Sequence, residues 1–194
     1  ELRRGALRDA DPGLYVNLGT GVAAAVTVGG RVLAGAHHAA GEIGYLNPGG
    51  APVDAVARGH APFEELVGGR ALAEQAAELL GGPVGAAALF RSPEPAARRL
   101  ADRTLDVLAT ALANLCTLLD PSRIVVGAGL MAAAEVILPE LERRIAGATP
   151  FPPDLRVAHF RQDAALHGAI ALALDSLREL SGPPQPADHL GARR

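Results

Sequence analysis

The chain has 194 residues, of which 49% are hydrophobic and 20% charged, with a formal net charge of −3. Such a chain can bury enough apolar surface to offset its ordering entropy, which excludes intrinsic disorder, and its length allows one large domain or two small ones. All eighteen basic residues are scattered Arg, against nucleic-acid binding through this chain, and the single cysteine excludes an intrachain disulfide and a cysteine-rich zinc site.

The first nine residues, Glu1 to Asp9, read as the end of an amphipathic helix with Leu2 and Ala6 on one side. They hold no apolar signal core and no stretch of the chain reaches the roughly 18 apolar residues of a membrane span, so no membrane partner and a cytoplasmic location are expected. The missing initiator Met suggests a piece of something longer.

Residues 13–35 read as a β-meander. Gly13 to Leu18 is a strand ending at Gly19-Thr20-Gly21, Val22 to Val28 is a second, and Gly29-Gly30 is a two-residue hairpin signal before the return strand Arg31 to Ala34. Residues 35–61, rich in Gly and Pro, predict a long loop of the functional or disordered kind.

Helices follow. Pro62 to Val67 opens one, Gly68-Gly69 interrupts it, and Arg70 to Leu80 continues it. Glu94 to Leu119 is a long amphipathic helix with Leu100, Thr104, Leu108, Leu112, Leu115 and Leu119 on one face, and Cys116 is a small core residue within it. Asp120-Pro121-Ser122 breaks that helix, Arg123 to Val126 is a buried parallel strand, and a helix spans Met131 to Ala146. A strand over Leu155–Phe160 and a helix over Ala164–Leu180 complete the fold. The last helix is apolar almost all round, which predicts deep burial. The alternation argues for βαβ units with a parallel component.

Two glycine turns could carry chemistry. At Gly19-Thr20-Gly21 backbone N–H groups can approach an anion and the Thr20 hydroxyl adds a donor. At Gly127-Ala128-Gly129 a strand runs through glycines into a helix start, which favours a phosphate or a nucleotide edge. A tight turn explains either one alone, and neither has the lysine or the spacing of a phosphate-loop or dinucleotide fingerprint. Glu42 lies between glycines, where it could accept hydrogen bonds from ligand hydroxyls or be a solvated loop carboxylate. The six histidines show no metal-ligand spacing.

Taken in order, these motifs resemble the repressor–ORF–kinase (ROK) family of sugar kinases and sugar-responsive repressors. Leu18 to Ala24 resembles its second phosphate motif and Ala40-Gly41-Glu42-Ile43-Gly44 its sugar loop. Phe63 to Leu72 resembles the segment after its zinc loop, Pro121 to Leu130 its adenosine-side strand and turn, and Asp163 to Ala169 its closing helix. The resemblance implies an α/β, actin-like ATPase (ribonuclease H-like) fold, here a C-terminal lobe over residues 1–180 with a mixed sheet flanked by helices, and a disordered tail over 181–194. It further implies that Glu42, Glu64 and Tyr45 face a hexose or N-acetylhexosamine. Gly19, Thr20 and Gly21 would hold ATP phosphates with Mg2+, and Gly127 and Gly129 would border the adenosine. A homodimer is also implied.

Three departures from the family stand out. The N-terminal lobe with its general-base aspartate is missing, so the chain is expected to be inactive alone. Tyr45 stands where the family has a zinc-binding histidine, and Asn47 to Pro62 replaces the zinc-binding cysteines. No zinc is expected, since a phenol titrating near 10 is a poor zinc ligand. Three readings stay open: the binding lobe of a sugar kinase, the sugar-sensing part of a repressor, and a degenerate relative kept for subunit contacts.

Overall fold

In a computed structural model, residues 1–160 and 163–181 are described. The chain divides into two units, 1–162 and 163–194.

The first unit is built on a five-stranded mixed sheet. Its strands are β1 (Gly13–Leu18), β2 (Val22–Val28), β3 (Arg31–Val32), β4 (Arg123–Gly127) and β5 (Asp154–Val157), in the order β3-β2-β1-β4-β5. The meander pairs β1 with β2 and β2 with β3 antiparallel, whereas β4 lies parallel to both β1 and β5. Gly29 and Gly30 have φ of +59° and +70°, the left-handed pair that a two-residue hairpin requires.

Leu14, Val16 and Leu18 alternate onto one face with Ile124 and Val126 and form the main core. The helices α1 (Pro62–Val67), α2 (Gly69–Leu80), α3 (Ala86–Leu89), α4 (Pro95–Leu119) and α5 (Ala134–Ala146) contribute the rest of it. On α4, Leu100, Thr104, Leu108 and Leu112 are buried, with Leu115 and Leu119 partly so, as their spacing predicts. Cys116 is buried too, and that burial, with the charge of Asp120 beside it, pushes its thiol up. Arg144 on α5 donates to Asp102 (3.1 Å) and Asp106 of α4, pinning the two helices. The other face of the sheet carries a small cluster of Leu7, Ala10, Val125 and Ala158, packed with Tyr15.

Several expectations change. Residues 1–9 form turns rather than a helix end, because a left-handed Asp9 (φ +64°) and 3.2 Å bonds spanning three residues interrupt any helical run. The strand expected over Leu155–Phe160 is β5, and Phe160 N–H instead donates to the Glu1 carboxylate (2.8 Å). Of the return strand expected over Arg31 to Ala34, Arg31 and Val32 form β3, and Leu33 N–H still donates to Val26 O (2.8 Å). The long loop contains two 3-10 turns, Ile43–Tyr45 and Val56–Arg58, and the helix expected from Met131 begins as a 3-10 turn over Gly129–Ala133.

The second unit holds α6 (Ala164–Ser181). Deep burial was expected of it, but Leu166, Ile170, Leu172, Leu174 and Leu177 are all exposed. An all-round apolar pattern states that a helix needs cover without supplying it. Residues 182–194, the bulk of the tail expected to be disordered, lie outside the described residues.

Candidate functional site

Since β1 and β4 run parallel, the turns that leave them open at the same edge of the sheet, where ligands of open α/β sheets gather. A Cβ on Gly19 would lie 3.5 Å from the Ala128 Cβ, so two turns more than 100 residues apart in sequence are neighbours.

The first turn is fixed from several sides. Gly19 N–H donates to Gly21 O (3.1 Å). The carbonyls of Gly19 and Thr20 accept from Gly69 N–H (2.8 Å) and Arg70 N–H (3.1 Å), the first donors of α2. These are N–H groups that a helix start leaves without an internal partner, and the turn satisfies them. Thr20 is exposed, and among the described residues no acceptor meets the N–H of Thr20 or of Gly21. The turn therefore carries two main-chain donors and an exposed hydroxyl with no acceptor among the described residues, groups of the kind an anion uses.

Glu64 stands behind it. The carboxylate Oε2 accepts from Val22 N–H (2.8 Å), the residue that follows the turn. Three glycines make room for this side chain. A Cβ at Gly21 would collide with Oε2, one at Gly44 would lie 3.3 Å from the Glu64 Cβ, and one at Gly68 would lie 3.1 Å from its Cγ. Gly68 and Gly69, read in the sequence as an interruption, are thus a docking surface. A Cβ at Gly69 would come 2.5 Å from Gly19 O. Sequence offered only the doubled glycine as a signal.

The loop carrying Glu42 is fastened to β2. Gly41, at φ +97°, accepts from Ala24 N–H (2.7 Å), and its missing Cβ is replaced by Ala24 O. Ile43 enters the core, Gly44 is buried near Val22 O and Glu64, and Glu42 and Tyr45 are exposed. Glu64, the Glu42 loop and the Gly19–Gly21 turn are therefore brought together around Val22 and Gly44.

The second turn is built differently. Gly127 is buried within β4, where a Cβ would lie 2.5 Å from the Tyr15 hydroxyl and 3.0 Å from the Ala158 Cβ. Burial, and then the charge of Glu1, push that phenol up. Ala128 follows at φ +74°, ψ −163°, a region that only glycine enters without strain. Gly129 is exposed, with open space where a Cβ would stand.

An open cavity of about 390 Å³ lies on the other flank of α1, lined by Pro48, Pro52, Arg58, His60, Glu65 and Leu66 among others. Its polar side chains are paired: Arg58 with Asp54 (2.7 Å) and His60 with Glu65 (3.0 Å). The Ala61 N–H and then His60 hold the Glu65 carboxyl below the usual range. Among the described residues no three His, Cys, Asp or Glu side chains group as metal ligands, and no helix is long and apolar enough to cross a membrane.

The sequence profile of the ROK family matches residues 2–176. An N-acetylmannosamine kinase of Escherichia fergusonii is 34% identical over 166 residues, covering 82% of this chain and 56% of the relative. This chain thus spans about half the length of the curated relatives it matches. Among solved structures, a ROK glucokinase of Streptomyces griseus in complex with glucose and AMPPNP superposes with a TM-score of 0.67 at 25% identity, covering 88% of this chain and 62% of that one. A ROK transcriptional regulator, a homologue of the E. coli MLC protein, gives 0.75 at 20% identity over 90% of this chain and 48% of that one, which shows a shared fold alone.

Proposed function

The chain belongs to the ROK family, and on that premise we propose that it is the sugar- and nucleotide-binding part of an ATP-dependent kinase acting on a hexose or N-acetylhexosamine. The observation that carries the reading is the Gly19–Gly21 turn, with two unused main-chain donors and an exposed Thr20, held beside Glu42 and Glu64.

Bound ATP would supply the phosphoryl group, with Mg2+ offsetting its charge. Phosphoryl transfer depends mostly on positioning and charge stabilisation, and the turn is suited to both. The Thr20 and Gly21 N–H groups and the Thr20 hydroxyl orient phosphate oxygens. Exposed Gly129, with Gly127 behind it, borders the adenosine. Glu42, the free Oε1 side of Glu64 and the Tyr45 hydroxyl bind sugar hydroxyls. The reading places no general base among these 194 residues, so the chain alone binds but does not transfer. It also uses no zinc, and stoichiometric zinc in the purified protein would overturn that part.

The test is thermal unfolding of the 194-residue chain with Mg·ATP, N-acetylmannosamine, N-acetylglucosamine or glucose. At a hundredfold excess over Kd a ligand stabilises by about 2.7 kcal/mol, an upward shift of roughly 5–10 °C for a chain this size. Shifts with both Mg·ATP and one sugar support the kinase reading. A shift with sugar alone points to the sensing part of a regulator, and none with either ends the proposal.

A further inference from the structure

Sugar contact does not account for how Glu64 is held. A residue that only met a ligand would need its carboxylate free toward the cleft. Instead Oε2 is engaged by Val22 N–H at 2.8 Å, and the glycine at position 21 leaves room for the Glu64 carboxyl, Oε2 nearest and Cδ next at 3.0 Å from where a Cβ would stand. Val22 is buried, opens β2 and directly follows the turn. On the other side, the Glu64 carbonyl accepts from Gly68 N–H (2.7 Å), which sets the extended residue from which α2 starts. The donors of α2 at Gly69 and Arg70 then hold the carbonyls of Gly19 and Thr20. The side chain and main chain of Glu64 thus grip the turn from both ends, while its Cβ abuts Gly44 of the sugar loop.

We propose that Glu64 is a positioning residue for the phosphate turn: by accepting Val22 N–H it fixes the orientation of the Thr20 and Gly21 donors, so nucleotide affinity depends on the reach of its acceptor oxygen. This rests on the reading that the Gly19–Gly21 turn takes nucleotide phosphates. Charge is not the operative quantity, since a carboxylate behind a phosphate site repels the ligand. What matters is an oxygen held at the end of a two-methylene arm.

Two conservative variants separate reach from charge. Glu64→Gln keeps an acceptor oxygen at the same length and removes the charge. Glu64→Asp keeps the charge and withdraws the oxygen by one methylene. Calorimetric titration of the 194-residue chain with Mg·ATP and with N-acetylmannosamine, alongside thermal unfolding, reads both. The expected result is a Mg·ATP Kd weakened about tenfold in Glu64→Asp, the loss of one hydrogen bond, and held within about threefold, or tightened, in Glu64→Gln. Sugar affinity falls in both. An unchanged Mg·ATP Kd in Glu64→Asp, with only sugar affinity or melting temperature lowered, overturns the proposal, and so does an equal loss in both variants. Failure of the unsubstituted chain to bind Mg·ATP overturns the functional reading itself, and this inference with it. Should Glu64→Asp not fold, Gly21→Ala presses on Oε2 from the turn side. Weakened Mg·ATP binding with sugar affinity kept then supports the proposal, and unchanged binding overturns it.

Discussion

The two glycine turns sit side by side at one edge of the sheet, yet they are held by opposite means. The Gly19–Gly21 turn is fastened by hydrogen bonds to α2 and by Glu64, and Gly21, Gly68 and Gly69 clear space for another group's backbone or carboxylate. The Gly127–Gly129 turn is held by packing: Gly127 is wedged under Tyr15 and Ala158, and the next residue is a non-glycine in a glycine conformation. A turn whose carbonyls and flanking amides are already bonded leaves its remaining donors unused, whereas the second turn is shaped by the core beneath it.

Substitutions can break this contrast. Gly69→Ala, which forces a Cβ toward Gly19 O, should cost the most, about 3 kcal/mol in denaturant unfolding with loss of Mg·ATP binding. If alanine there is silent, the clamp is not what holds the first turn. Gly127→Ala should cost about 2 kcal/mol, and adding Tyr15→Phe should restore part of it, giving a coupling energy in a double-mutant cycle. Ala128→Gly should stabilise by about 1 kcal/mol, because the relief of backbone strain exceeds the entropy cost of glycine. A destabilised Ala128→Gly chain would show that the strain is not there. Gly129→Ala, with open space and no left-handed φ, should stay within about 0.5 kcal/mol.

The smallest effect concerns the far end of β4, where Arg123 pairs with Asp154 of β5 (2.7 Å). Burial raises the Asp154 carboxyl, but Arg156 and Arg123 outweigh it and hold it below its ordinary value. A depressed carboxylate contributes stability that is present above its unfolded value and lost as pH falls through the folded one. Acid unfolding curves of Asp154→Asn should therefore lie slightly below the parent above about pH 4 and converge with it as the pH falls through the folded value.

Local order was legible where it is local in cause. The Gly29-Gly30 hairpin, the α4 stripe and the break at Asp120, which is left-handed at φ +45°, all follow from neighbours in sequence. The turn containing Gly19, Thr20 and Gly21 and the Glu42 loop were recognisable for the same reason. The bond from Val22 to Glu64 was not, since it joins residues 42 apart and neither shows a local sign of it. Gly68-Gly69 looked like a break because its purpose, close approach to Gly19, depends on a strand far away in the chain. The contrast between α4 and α6 has the same root. Both patterns tell how much surface must be covered, but α4 has one polar face that orients it on the sheet, and α6 has none.

The loop carrying Glu42 is tied down through its main chain and the buried Ile43: the Gly41 carbonyl accepts from Ala24 and Ile43 N–H, and Gly44 settles beside Val22 O. Among the described residues, none of that fastening uses the side chain of Glu42 or Tyr45. Those two positions can drift, singly or together, while the chain keeps its shape. A saturation library over residues 41–45 should return folded proteins with many residues at 42 and 45 and only glycine at 41, which leaves the loop free to change the side chains it presents without losing its shape.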